Sequence, residues 1–313
     1  MPAYVAWLAD FLTDRHQAVR MQGATSTFLP LTCGVPQGTK VGPLCFLVLI
    51  NDALSDVTSL WKYVDDSTVA TDINNISPNY QLLQDTLDNL LTWTTTNHAT
   101  LNSKKTVVMQ FDLATTPTQP PALTIGEHTL EVVQSARILG VVIDNKLSWD
   151  RHVSSTISAT SFRLHMLRRL KSLGVPKPEL TNIYKTFILP KLTYASPAWS
   201  SSINNTQLKK LDRVQKRAVK IILGTSYNGY EASLSTLGLS TLATLYQQTL
   251  LQFGKHLLKS QRHRHLLPPP APPPRRAARS HNILEPVRSR TDRHKNSPVP
   301  TIVRLINGNP VNV

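Results

Sequence analysis

The chain has 313 residues, is 41% hydrophobic, and carries 34 Lys and Arg against 19 Asp and Glu, a formal net charge of +15 at pH 7. That length allows about two domains with cores of their own, and the charge favours a polyanionic partner, of which nucleic acid is the usual one. The longest apolar run, Pro43–Ile50, is far short of the roughly 20 residues that cross a bilayer, and the start, interrupted by Asp10 and Asp14, lacks the basic leader of a signal peptide.

The first stretch, residues 3–13, predicts a helix, with Tyr4, Trp7, Leu8, Phe11 and Leu12 at helical spacing. Two β-prone pieces follow, near 17–21 and 27–33. A loop rich in Gly and Pro, "CGVPQGTKVGP", then opens into "LCFLVLINDALSDV", which reads as a buried helix. Cys33 and Cys45 lie in or beside apolar sequence and fit free thiols, so a reducing intracellular compartment, nucleus or cytoplasm, is expected. Residues 61–71 predict a strand, a turn at Asp65-Asp66 and a second strand. Two adjacent carboxylates in a strongly basic chain read either as a solvated turn or as a pair that waits for a divalent cation. The stretch 78–97 predicts an amphipathic helix, with Tyr80, Leu83, Leu87, Leu90, Leu91 and Trp93 on one face. Strands are expected at 106–111, 123–125, 128–133 and 136–143.

From about residue 150 the pattern becomes helical, with helices expected at 150–172, 177–195, 204–223 and 240–259. In the third of these, Leu208, Leu211, Val214, Ala218 and Ile221 form an apolar side. Lys209, Lys210, Arg213, Lys216, Arg217 and Lys220 cover most of the rest, with Asp212 as the sole acid. A basic face so poorly balanced points to phosphate contact more than to an ordinary solvated surface. Past Gln261 the composition turns Pro-rich and basic, which predicts an extended tail unable to pack a core.

Two motifs gain force together. "GVPQGTKVGPLCFLVLINDAL" (residues 34–54), followed after a short gap by "YVDD" (residues 63–66), resembles the reverse transcriptases of non-LTR, LINE-type retrotransposons. The resemblance continues in "LNSKKT" (101–106), in "ARILGVVIDNKLSWDRHV" (136–153), in "ILPKLTYASPAW" (188–199), in "LDRVQKRAVKIILG" (211–224) and in "RTDRHKNSPVPTIVRLIN" (290–307). It implies an α+β chain: a partial polymerase palm with an antiparallel sheet over 1–148, a helical thumb over 149–260, and a basic Pro-rich tail over 261–313. The implied activity is RNA-directed DNA synthesis by two-metal nucleotidyl transfer. RNA template, DNA primer and deoxynucleotides are its partners, and Mg²⁺ or Mn²⁺ is its cofactor.

By the same resemblance Asp65 and Asp66 are the catalytic, metal-holding pair. Gln37, Gly38 and Tyr63 line the nucleotide pocket, and Lys105 assists the leaving pyrophosphate, with Lys104 beside it as an alternative. Lys209, Lys210, Arg213, Lys216 and Arg217 contact nucleic acid. The family places a further palm carboxylate upstream, in a segment of the type Ala-Phe-Asp. No Asp here precedes the Gly-Val-Pro-Gln-Gly loop in a strand-like context, since Asp10 and Asp14 fall in or just after the first helix. The chain is therefore expected to be N-terminally truncated and to have little or no activity alone. The second reading is a catalytically dead remnant that binds nucleic acid through its basic helix and tail.

Overall fold

The computed structural model describes residues 2–32, 34–36, 38–74, 79–111, 120–272 and 283–308. Gln37 and Cys33 lie outside the described residues. The chain divides into two compact units: residues 1–108 with 115–132, and residues 109–114 with 133–313.

The first unit is built from short elements. Helix α1 (Ala3–Leu12) is followed by β1 (His16–Gln17), β2 (Arg20–Met21), β3 (Ala24–Thr25) and β4 (Leu29–Pro30), with β1 paired to β4 and β2 to β3. Helix α2 (Val41–Asn51) leads to the hairpin of β5 (Leu60–Tyr63) and β6 (Asp66–Val69). Helix α3 (Gln81–Thr96) comes next, then β7 (Val107–Val108), β8 (Thr124–Ile125), β9 (His128–Thr129) and β10 (Glu131–Val132). β8 pairs with β9, and β10 runs parallel to β7. The described residues thus form two-stranded ladders rather than the single antiparallel sheet of a partial palm, compatible with an α+β chain.

The small core of this unit lies under α3. Leu123, Ile125 and Leu130 are buried against Tyr80, Leu83, Leu87 and Leu91, the face that the helical periodicity marks. Gln84 fixes the register by bonding the β8 backbone in both directions, donating to Thr124 O and accepting from Thr124 N, each at 3.0 Å. Helix α2 departs from expectation. Gly42 is its one buried residue, and Leu44, Leu47, Val48 and Leu49 are exposed. The helix is apolar on every side, so the composition that suggests burial also lacks a stripe to choose a packing face.

The second unit holds the main core. It starts with the hairpin of β11 (Ser135–Ile138) and β12 (Val141–Asp144), whose Val141 and Ile143 enter the helical core. Asp144 ends β12 and accepts hydrogen bonds from the Lys146, Ser148 and Trp149 amides and from the Ser148 hydroxyl. Burial pushes its carboxyl up, but those donors prevail and hold it below the ordinary value. The turn so fixed launches α4 (Asp150–Ser172), which is followed by α5 (Lys177–Ile183), α6 (Leu189–Thr193), α7 (Ser196–Trp199), α8 (Asn205–Leu223), α9 (Tyr230–Thr236) and α10 (Leu242–Lys259).

A continuous helix over 177–195 is not what forms. The chain widens to a π-helix at Tyr184–Ile188, with the Leu189 amide bonded back to Tyr184 O, and a positive φ at Ala195 (48°) ends the run. Pro190 explains the break, because it lacks an amide hydrogen and its ring crowds the preceding turn. Leu167, Leu180, Ile188, Leu192, Leu211 and Ile222 are fully enclosed between these helices. Trp199 stands between His152 (centroids 5.0 Å) and Tyr246 (5.2 Å).

Residues past 261 pack more than their composition suggests. α11 (Asp292–Lys295) and α12 (Pro298–Asn307) follow, and Ile302, Val303 and Ile306 of α12 share a core with Leu250, Leu257, Leu267 and Leu284. Gly254 lets α12 approach, since an added Cβ would lie 2.4 Å from Ile302 Cγ2. Asn307 closes the strap by accepting from the Ile283 and Leu284 amides and donating to Leu284 O. The run 273–282 lies outside the described residues.

Candidate active site

The site begins with a loop that needs two glycines for different reasons. Gly38 sits at φ +78° with open space where a side chain would be, so its role there is conformational. Gly42, in the first turn of α2, has no such room: a Cβ would fall 2.1 Å from Pro36 O. Thr39 locks this joint, its hydroxyl donating to Pro36 O (3.0 Å) and accepting from the Gly42 amide (2.9 Å). The Gly-Val-Pro-Gln-Gly loop is thereby folded onto the start of α2.

The other end of α2 meets the acidic hairpin. The ladder pairs Leu60 with Val69, Trp61 with Thr68, Lys62 with Ser67 and Tyr63 with Asp66. The two-residue turn is therefore Val64-Asp65, one residue earlier than expected, and Asp66 opens the returning strand. Val64 carries φ +57°, a costly conformation for a β-branched side chain. Both carboxylates are exposed, and among the described residues neither takes a hydrogen bond or an ion pair. Lys62 points the other way. Its ammonium donates to Ile50 O (3.0 Å) and Asn51 O (3.1 Å), the last two carbonyls of α2, and to Ala53 O in the turn beyond it. Just past that end, Asp52 accepts from the Trp93 indole at 3.1 Å, which ties α3 to the same corner.

The remaining expected residues are less gathered. Tyr63 is exposed beside Asp66, its ladder partner. Lys104 and Lys105 are exposed on a turn that Asn102 organises by accepting from the Lys105 amide, and Lys105 makes no hydrogen bond to the hairpin. Gln37 lies outside the described residues. No three His, Cys, Asp or Glu side chains of the described residues stand together as a metal site. The Asp65–Asp66 pair still has the right chemistry for Mg²⁺, which takes hard oxygen donors and is commonly held by one or two carboxylates completed by substrate phosphates.

On α8, Lys209, Lys210, Arg213, Lys216, Arg217 and Lys220 are all exposed, opposite a buried face of Leu211, Val214, Ala218 and Ile222. Lys216 Nζ lies 4.7 Å from the Tyr230 ring centroid and Lys220 Nζ 5.0 Å from that of Tyr227. Asp212 is half-buried, and burial pushes its carboxyl up, partly countered by Lys216.

Residues 1–143 match the family model for reverse transcriptase (RNA-dependent DNA polymerase). The RNA-directed DNA polymerase of the mobile element jockey of Drosophila melanogaster is 26% identical over 232 residues, which is 70% of this chain and 25% of that protein. The probable polymerase of the X-element transposon, also from D. melanogaster, is 25% identical over 280 residues, 85% of this chain and 30% of its own length. The jockey polymerase of Drosophila funebris is 27% identical over 239 residues, 72% of this chain and 26% of that one. These likenesses are to polymerases of mobile elements and transposons, and the chain spans a quarter to three-tenths of the length of these relatives.

The motifs mark the loop and the acidic turn but not what joins them. Asp52 belongs to the quoted 34–54 motif, whereas Lys62 carries no motif signal of its own. A cationic residue one strand step before the Tyr-x-Asp-Asp, falling on the inward side of the alternation, is the clue that sequence offers. No described helix is long and apolar enough to cross a membrane.

Proposed function

We propose that this chain is a portion of an RNA-directed DNA polymerase that adds deoxynucleotides to a DNA primer on an RNA template, inside the cell. The observation that carries the reading is the unpartnered Asp65–Asp66 pair, set on a two-residue turn and bonded through Lys62 to the helix that runs from the Gly-Val-Pro-Gln-Gly loop. Asp65 and Asp66 bind the divalent cation, Mg²⁺ or Mn²⁺. When bound, that ion supplies charge neutralisation to the phosphates of the incoming nucleotide. Tyr63 presents its ring next to Asp66, where it meets the nucleotide. Gly38, with no side chain, leaves room for close approach by nucleotide and template; Gln37, the other residue expected there, lies outside the described residues. Lys105 supplies positive charge to the departing pyrophosphate. The cations of α8 hold the duplex by its phosphates.

Two carboxylates are too few to seat two cations without further protein ligands. The described residues offer no third, so we assign the chain little or no polymerase activity alone. The second reading, a nucleic-acid-binding remnant without catalysis, is favoured by the six exposed cations of α8. Primer extension separates the two. Purified chain receives a primed RNA template, deoxynucleotides and Mg²⁺, with Asp65→Ala as control. Absence of incorporation is expected; incorporation that depends on Asp65 would mean another residue completes the site.

A further inference from the structure

We infer that Lys62 is a positioning residue for the acidic hairpin, holding the Asp65–Asp66 pair in the orientation that receives a cation; the cation half of this inference rests on the metal-binding reading above. A two-stranded ribbon is marginal in water by itself. This one has four residue pairs and a turn residue, Val64, at an unfavourable positive φ. Something outside the ladder must orient it.

On the exposed side of β5, Trp61 and Tyr63 are 60% and 62% exposed, so they do not supply the anchor. Lys62 alternates to the other side and is half-buried. An ammonium carries three donors, and here all three are spent on Ile50 O, Asn51 O and Ala53 O. Among the described residues these are the hydrogen bonds that join the hairpin to the end of α2 and the turn after it. The last carbonyls of a helix carry partial negative charge, so the ammonium is favoured electrostatically as well as by bonding. The consequence is mechanical: Thr39 ties Pro36 to the start of α2 and Lys62 ties the hairpin to its end, so one helix connects the two.

The inference makes an unusual prediction of sign. Removing a nearby positive charge should tighten cation binding if charge were all that mattered. Removing a positioning residue should loosen it. The test uses the full chain as wild type, Lys62→Met, which keeps the stem and loses the donors, and Lys62→Arg, which keeps donors and charge.

Two readouts are taken. Amide exchange over residues 60–69 is compared with exchange over 135–144 in the other unit as an internal reference. Mn²⁺ is titrated while paramagnetic broadening of the Asp65 and Asp66 amides is followed by NMR. In Lys62→Met, exchange over 60–69 should quicken about tenfold, corresponding to a local loss near 1.4 kcal/mol, with the reference hairpin unchanged. Mn²⁺ affinity should fall about tenfold, the scale of a lost outer-shell support, and Lys62→Arg should recover most of both. Wild-type exchange in Lys62→Met, or tighter Mn²⁺ binding, would overturn the inference. If the wild type shows no broadening, or Asp65→Ala keeps it, the metal reading of the pair falls and takes the cation half of the inference with it. The exchange comparison still decides whether Lys62 holds the hairpin.

Discussion

Gly38 and Gly42 show how far apart two similar letters stand physically. At Gly38 an alanine meets nothing, and the cost is that of forcing a Cβ into positive φ, on the order of 1 kcal/mol. At Gly42 an alanine drives its Cβ into Pro36 O, and the loop–helix joint must open. Gly42→Ala should therefore lower the stability of the first unit by about 1–3 kcal/mol and Gly38→Ala by less. Urea titration of the two variants, followed by amide exchange in α2, checks the order. The motif made Gly38 legible; Gly42 was not, because its constraint is a contact with a carbonyl six residues back that only folding creates. His152 is a second case. It is buried between Trp149 and Trp199, and its Nδ1 accepts from the Val142 amide at 3.3 Å. Burial, with Lys191 and Arg137 adding to it, holds its pKa below the ordinary 6.5. The folded state thus prefers neutral imidazole, and below about pH 6.5 the unfolded chain takes a proton that the folded one resists. Stability of the second unit should be full above that pH and decline as pH falls through it. His152→Gln should flatten the decline in thermal melts taken between pH 7.5 and 5.

At the scale of elements, amphipathic helices were the most legible. α4 and α8 stand within a residue of their expected bounds and α10 within two, because a stripe of apolar residues marks both the helix and its buried face. α2 was legible as a helix and misjudged in burial, since an all-apolar surface does not say which side will find a partner. The 177–195 run failed at Pro190, where a π-turn absorbs a defect that periodicity alone does not register. The basic face of α8 carries its own prediction. Each phosphate neutralised on duplex contributes about −0.9 to the slope of log K against log salt. Changing Lys209, Lys210, Arg213, Lys216 and Arg217 to Gln should flatten that slope by several units, measured as duplex affinity between 50 and 200 mM salt. Lys216 should contribute least, because its ammonium is already engaged over Tyr230. An unchanged slope would remove α8 from the nucleic-acid surface.

Across the whole molecule, stability is unequally shared. The second unit encloses Trp199, Tyr184 and a dense set of Leu and Ile side chains, and Gln207 crosses it by donating to Ser148 O and to the Asp150 carboxylate. The first unit buries three aliphatic side chains under α3 and leaves Tyr4, Trp7, Leu44 and Val48 in solvent, the last 77% exposed. Burial of a side chain of that size is worth about 1.5–3 kcal/mol, so the first unit gives up a large part of the free energy that an apolar chain of its length has at hand. Two transitions should follow rather than one. Amide exchange by mass spectrometry on the full chain should show α4, α8 and α10 protected to near the global limit, while α1, α2 and the β5–β6 hairpin exchange through local opening. A dye that reports exposed apolar surface should bind before any heat is applied, and limited proteolysis should cut within the first unit and leave 133–272 intact. Uniform protection across both units would mean that α1 and α2 are covered in solution. The exposed apolar helix at the candidate site would then be an interface, and the Asp65–Asp66 pair would work inside an assembly larger than these residues.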